Sequence, residues 1–307
     1  MNENRPKTTV VLRCKNNAWV IDRMLAALFS QTYQDFELLV VDSGSTDSTL
    51  QTVEQYPHRL IEVAPEDYIP GTVLNQAISQ TDTPVVLFVN ADCVLATPES
   101  LGNLVAAFDD PAVMAAFGRQ VVRPEADTWV RRDYEQSFPE KGEAPPWITL
   151  SLPVAGMRRS AWEQQAFYTD AWGSEDSHWG VRARERGWKI AYVPDAVAMH
   201  SHNYTLKQLY GRRFIEGEAD SFIYGGGDTI PKLVGRAVMD IVRDIPVMLR
   251  AHDASGLAWV LPRRAVCQWA YYVGRQHGAR RQAEGSRDVK HGQQVVLARH
   301  ESIRGKG

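Results

Sequence analysis

The sequence predicts an α/β protein built on a nucleotide-binding parallel sheet with a helical C-terminal extension, and three observations lead there. The stretch TPVVLFVNADC at 83–93 carries five consecutive apolar residues, Val85 to Val89, and stops abruptly at Asn90, Ala91 and Asp92. A run of that length reads as a strand buried on both faces. Two further apolar runs, TTVVLR at 8–13 and FELLVV at 36–41, also end in short polar loops followed by helical patterns. Strands alternating with helices in this way indicate a parallel sheet, whose ligands bind outside the carboxyl ends of the strands. Beyond residue 205 the chain turns helical and basic.

Taken in order, the first strand runs through Cys14-Lys15-Asn16-Asn17 into the helical pattern Val20, Met24, Leu25, Leu28. The second ends at Asp42-Ser43-Gly44-Ser45-Thr46-Asp47-Ser48-Thr49, a loop rich in small and hydroxyl residues. Asp47 or Ser48 is available to cap the helix through Leu50 and Val53, and such a loop can bring backbone N–H groups close to a nucleotide. The third strand places the Asp92 carboxylate two residues from the Asn90 carboxamide, a position suited to a metal and its phosphates; a solvated turn with Asp92 as a helix cap is the competing reading. No G-x-G-x-x-G follows the first strand and no G-x-x-x-x-G-K-[ST] occurs, so a sugar nucleotide fits better than a dinucleotide or P-loop ligand.

The segment 101–108 reads as a helix closed by Asp109-Asp110-Pro111, and Ala112 to Phe117 as another apolar run. Residues 123–147 read as irregular, with Trp129, Tyr134, Phe138 and Trp147 either stacking on an acceptor sugar or forming local core. LPVAGM at 152–157 returns a strand towards the site. Glu175-Asp176 then begins a helix over 176–186 that Gly187 ends, ahead of a strand at 190–193. Capping accounts for one acid in a first helical turn, but not for two adjacent acids among Trp172, His178 and Trp179.

The tail is helical over 206–222, 230–249 and 257–276, with Gly225-Gly226-Gly227 as a break. Its segment WVLPRRAVCQWAYYVGRQ at 259–276 mixes tryptophan, tyrosine and arginine as an interfacial helix does, or packs on the catalytic domain or a second subunit. The last ~25 residues are expected to be a mobile end. A net charge of −3 hides an asymmetry, with 17 basic and 27 acidic side chains in residues 1–200 against 17 and 10 in residues 201–307. That basic excess suits an anionic surface such as phospholipid or a lipid diphosphate, and equally a solvated face. Cys14, Cys93 and Cys267 are too few and too scattered for a disulfide framework or a zinc site. No stretch reaches the ~18 apolar residues of a membrane span, and the polar opening MNENRPK lacks a secretory apolar region. The expected location is therefore cytoplasmic, peripheral to the inner face of a membrane if the tail docks there, with no nucleic-acid partner.

These residues carry a family resemblance. Strand 1 with Arg13 to Asn17, then VVDSGSTDST at 40–49, VNADC at 89–93 and GSEDSHWGVRARERGW at 173–188, in that order, resembles glycosyltransferase family 2, the inverting GT-A fold, which implies a Rossmann-like nucleotide-binding mixed sheet flanked by helices. The resemblance covers roughly residues 7–205, which sets the expected domains at 1–205 and 206–307. Within the family, EDYIPGTVLNQA at 66–77 and FGRQVVRP at 117–124 resemble rhamnosyltransferase-like members of polysaccharide assembly.

The resemblance implies a nucleotide-diphosphate-sugar donor, dTDP-rhamnose or a UDP-sugar by family analogy, and a glycan or lipid-linked acceptor. Asp42 would contact the nucleobase, with Arg13, Lys15, Asn16, Gly44, Asn75, Asn90, Ala91 and Asp92 as further donor contacts; Lys15 reads equally as a surface charge. The family's Asp-x-Asp metal motif is Asn90-Ala91-Asp92 here, and a carboxamide is a poorer ligand than a carboxylate for Mg²⁺ or Mn²⁺. Asp92 and His200 are the implied metal ligands, with His202 as a local competitor. Asp176 is the implied general base, Glu175 its helper, and Trp172 and Trp179 line the acceptor side. A homodimer is compatible with the tail. The alternative is a catalytically silent sugar-nucleotide or glycan-binding module, which the missing carboxylate at Asn90 favours and the paired acids oppose.

Overall fold

The computed structural model describes residues 7–300. Its strands are β1 (Thr8–Cys14), β2 (Phe36–Asp42), β3 (Arg59–Glu62), β4 (Val85–Val89), β5 (Val94–Leu95), β6 (Val113–Val121), β7 (Val154–Arg158) and β8 (Lys189–Met199). The helices are α1 (Ile21–Phe29), α2 (Thr49–Val53), α3 (Pro70–Ser79), α4 (Ser100–Ala106), α5 (Thr128–Ser137), α6 (Arg159–Gln164), α7 (Glu175–Glu185), α8 (Leu206–Tyr224), α9 (Ile230–Arg250), α10 (Ala254–Ala283) and α11 (Lys290–His300). The chain divides into two compact units: one holds the residues up to Pro124 with Tyr134–Phe167 and Trp179–Ser201, the other Glu125–Asp133, Tyr168–His178 and the residues from His202 onward.

The first unit is a mixed sheet in the order β3-β2-β1-β4-β7-β6-β8-β5. Strands β3, β2, β1 and β4 are parallel, β7 is antiparallel to β4 and β6, and β8 runs parallel to β6. Alternation along each strand feeds two cores. Val10, Leu12, Val40, Leu87 and Val89 pack with Met24, Leu25 and Leu28 of α1, while Val11, Leu39, Val86 and Phe88 pack with Leu74 and Ile78 of α3 and Trp179 of α7. Every residue of β4 is buried, as a strand covered on both faces requires. Between β6 and β8 the register slips from Gly118↔Val193 to Arg119↔Val197, a bulge that re-aims both strand ends. Val94↔Met199 pairing of β5 with β8 then brings the end of the β4 loop alongside the end of β8.

The second unit is helical. Helices α8 and α10 approach so closely that a Cβ on Gly274 would fall 2.0 Å from the Phe214 carbonyl oxygen. Asp244 of α9 is fully buried between Arg132 and Arg264. Burial alone would raise its carboxyl, but the hydrogen bonds and charges of Arg264 and Arg132 outweigh that and lower it. Two expectations change. The segment read as irregular contains α5, and the stretch read as a mobile end contains α11, with residues 301–307 lying outside the described residues. No described helix is long and apolar enough to cross a membrane.

Candidate functional site

At the carboxyl ends of β1 and β2, level through the Cys14↔Asp42 register, two loops are laced together by side chains. Asp42, 2% exposed, accepts the N–H groups of Gly44 (2.9 Å) and Ser45 (2.8 Å) and the Ser45 hydroxyl. Gly44 takes φ +82°, and a Cβ there would also meet Pro65 Cγ at 2.6 Å. Asn16, itself at φ +52°, donates its N–H to Ser45 Oγ (2.9 Å) and accepts that of Thr46 at Oδ1 (2.8 Å). The Lys15 N–H binds Asn17 Oδ1 at 2.8 Å, and the Asn17 N–H binds Thr49 Oγ1 at 2.7 Å. Asp47 Oδ1 accepts the Thr49 N–H at 3.0 Å from one residue before the N-cap position of α2, where Ser48 makes no side-chain capping bond.

The Asp42 carboxylate, expected to meet a nucleobase, is thus turned into its own loop, where it shapes the wall of the site. Asp42→Ala is expected to cost about 1 kcal/mol, because it strands the part-buried N–H groups of Gly44 and Ser45. Urea unfolding checks this, and an unchanged midpoint would show that the loop holds itself without the carboxylate.

The β4 end is pinned as firmly. Asn90 N–H donates to Pro153 O (3.1 Å), Ala91 N–H to Arg13 O (3.2 Å) and Cys93 N–H to Asn90 O (2.9 Å). Arg13 Nη2 donates to Asn90 Oδ1 at 3.3 Å. The carboxamide that replaces the expected first acid therefore serves as an acceptor for arginine. Ala91, 2% exposed, has only its backbone to offer. Cys14 and Cys93 are free, buried thiols pushed well above their ordinary range, chiefly by burial.

Asp92 Oδ1 lies 3.7 Å from His200 Nε2. His200, from the residue after β8, holds Nδ1 at 2.8 Å from Gln120 Oε1 and 3.3 Å from the Tyr134 hydroxyl. Gln120 donates its amide N–H to Ser151 Oγ at 2.7 Å, which turns its carbonyl oxygen towards the ring. Nδ1 accordingly donates to Gln120, which leaves Nε2 directed at the carboxylate. The 3.7 Å between them is beyond hydrogen-bond distance. With metal–ligand distances of about 2.1 Å, one divalent ion can be held by both, so these residues fit the cation that the sequence implies. Arg123 adds positive charge: its Nη2 donates to the Asp92 carbonyl at 2.5 Å and its guanidinium lies over the Trp19 ring at 4.8 Å. Its buried Nε–H has no hydrogen-bond partner among the described residues.

In the second unit, Gly173 (φ +136°) and Ser174 (φ +55°) make the turn that starts α7 at Glu175. Glu175 is 8% exposed, and Asp176, partly exposed, accepts the Ser177 N–H at Oδ1 (2.7 Å). Tyr168 stacks on His178 with centroids 4.1 Å apart and donates to the Gly173 carbonyl at 2.8 Å. Burial pushes its phenol well above the ordinary range, and the negative charges of Glu175, Glu218, Asp176 and Asp220 push it further. The phenol stays a donor beside two acids.

Three expected ligand residues are placed elsewhere. Trp179 is fully buried, its indole N–H on Gln165 O (2.7 Å) and its ring against Phe167 and Trp188, so it has no face for an acceptor. Asn75 uses its amide to bind Phe167 O (2.8 Å), Phe167 N–H (2.9 Å) and the Trp162 indole (2.8 Å), tying α3 to the segment after α6. Trp172 packs beside Phe214, Ile215 and Val296 in the second unit. Lys15 is half-buried at the rim of the laced loops. Gln120, Tyr134, Arg123 and Trp19 went unassigned from the sequence. Gln120 and Arg123 lie within the FGRQVVRP stretch, Tyr134 reads from the sequence only as an acceptor-stacking or core aromatic and instead meets His200, and Trp19 carries no sequence signal of a role.

The chain matches Glycosyl transferase family 2 over residues 9–165, more than half its length. It is 29% identical over 224 residues to the O-antigen chain rhamnosyltransferase RfbN of Salmonella typhimurium, covering 69% of this chain and 71% of that one. It is 29% identical over 203 residues to WbaN of Salmonella anatum, likewise an O-antigen chain rhamnosyltransferase, covering 62% and 64%. Among solved structures, the mannosyltransferase PcManGT from Pyrobaculum calidifontis, in complex with GDP-Man and Mn²⁺, superposes with a TM-score of 0.58 over 98% of this chain and 86% of that one, at 23% identity. The mixed sheet of this chain, with a helical region after it, has the GT-A architecture. From the family match and that sheet together, the chain belongs to glycosyl transferase family 2 and is a glycosyltransferase.

Proposed function

We propose that this chain transfers a hexose or deoxyhexose, with inversion, from a dTDP- or UDP-sugar to a hydroxyl of a glycan or lipid-linked acceptor. The observation that carries the reading is the Asp92–His200 pair at the end of β4, with the imidazole tautomer set by Gln120. Donor chemistry is assigned to residues 1–205. Asp92 and His200 form the acid–imidazole pair that would hold Mg²⁺ or Mn²⁺. When bound, such an ion supplies charge neutralisation at the departing diphosphate. Arg13 and Arg123 contribute to the same neutralisation from the loop flanks, offsetting the carboxylate that Asn90 lacks.

Asp176 takes the proton of the acceptor hydroxyl as that oxygen attacks the anomeric carbon opposite the leaving nucleotide. Glu175, more deeply buried, assists by orienting the acceptor. The names of the two relatives support a rhamnosyl donor over other sugars. A thermal-shift screen of nucleotides and nucleotide sugars with and without Mn²⁺ tests the donor site, since a bound ligand raises stability by mass action. The expected result is a rise with dTDP- or UDP-ligands that Mn²⁺ enlarges. A melting curve that no nucleotide moves would overturn the donor assignment.

A further inference from the structure

We infer that α9, with the first turns of α10, is an in-plane docking surface for an anionic phospholipid membrane. Ile230, Val234, Val238, Val242, Ile245 and Leu249 recur at intervals of three and four, which is one stripe of a helix. Each is 38–64% exposed, and Trp259 (50%) and Leu261 (63%) extend apolar exposure onto α10, which packs against α9. Single exposed apolar residues are ordinary, but a row along a whole helix marks a surface that something covers.

Charge decides what covers it. Both acids of α9 are neutralised inside the unit: Asp240 lies 3.5 Å from Arg264 and accepts Gln268 Nε2–H at 2.7 Å, and Asp244 is buried between Arg132 and Arg264. Lys232, Arg243 and Arg250 are exposed instead. Among the described residues from 228 to 283 no exposed Asp or Glu occurs. The outer face is therefore apolar with charge of one sign. Two copies meeting through this face would set cations against cations, since an isologous contact uses the same patch on both copies and the charges of this patch have one sign. An anionic headgroup layer meets the cations, while its acyl boundary takes the apolar stripe. No described helix is apolar enough to span, so the surface lies on the bilayer. Neither a donor nor the acid pair enters this inference, so it stands or falls separately from the transferase reading.

The test is flotation of the full chain with vesicles of phosphatidylcholine alone or with about 30% phosphatidylglycerol, at about 0.1 M salt. The chain should float with the anionic vesicles and stay behind with the neutral ones. The double variant Val238→Glu/Val242→Glu should partition at least about tenfold less, because charge replaces apolar surface at the stripe's centre. Lys232→Gln/Arg243→Gln/Arg250→Gln should lose about a hundredfold, at about fivefold per cation. Thermal melts matching the parent chain assign both losses to the surface. Equal partition into the two vesicle types, or none into either, would overturn the inference. So would a concentration-dependent dimer in sedimentation that Val238→Glu/Val242→Glu dissociates, which would give the face to a second copy.

Discussion

Asp176→Asn is expected to lower turnover by about 10²-fold or more while leaving donor affinity nearly unchanged. The substitution keeps the size of the side chain and its ability to accept the Ser177 N–H at Oδ1, but an amide cannot take the acceptor proton. Capping predicts the opposite outcome, since Asn and Asp rank alike at a helix start and both stability and activity would survive. Initial rates at saturating donor, beside calorimetric titration with nucleotide, separate the two. A fully active variant would remove the base assignment and pass it to Glu175. In parallel, Glu175→Gln should be the milder change, because Glu175 is only 8% exposed and is placed to orient rather than to receive.

Asp92→Ala should abolish the Mn²⁺-dependent part of the nucleotide thermal shift and lower turnover by about 10²–10³-fold. The size follows from the motif itself, for Asn90 and Ala91 offer no second carboxylate and the remaining partner in the same unit is the His200 imidazole. Asn90→Asp should strengthen divalent binding only modestly, since the Arg13 guanidinium already bonded at that position would compete for the new charge. Full activity of the parent chain in excess chelator, or an intact Mn²⁺ shift in Asp92→Ala, would sink the metal assignment and leave Arg13 and Arg123 to neutralise the diphosphate.

The sequence by itself determined strands β1, β2 and β4 and the resemblance to the family, while the antiparallel place of β7 in the sheet was not legible in its residues. Runs such as Val85 to Val89 have one stable solution, burial on both faces, and the abrupt polar stop after them places Asn90 to Asp92 at a strand's carboxyl end whatever the rest of the fold does. The position of Glu175-Asp176 at the start of a helix was legible for a similar reason, in the polar turn before the helical pattern. Only the tertiary structure decided what these groups face. Asp42 and Asn75 look like ligand residues in a motif, but Asp42 accepts N–H groups of its own loop and Asn75 bonds Phe167 and Trp162 from distant segments. Trp179 looks like an acceptor platform until the sheet buries it. Gln120 gains its role from a residue 80 positions away, through pairing of β6 with β8 that local pattern cannot encode. The outer face of α9 was hidden for the converse reason: its apolar stripe is the same signal that a core helix gives, and only packing shows that its acids turn inward while its valines meet solvent.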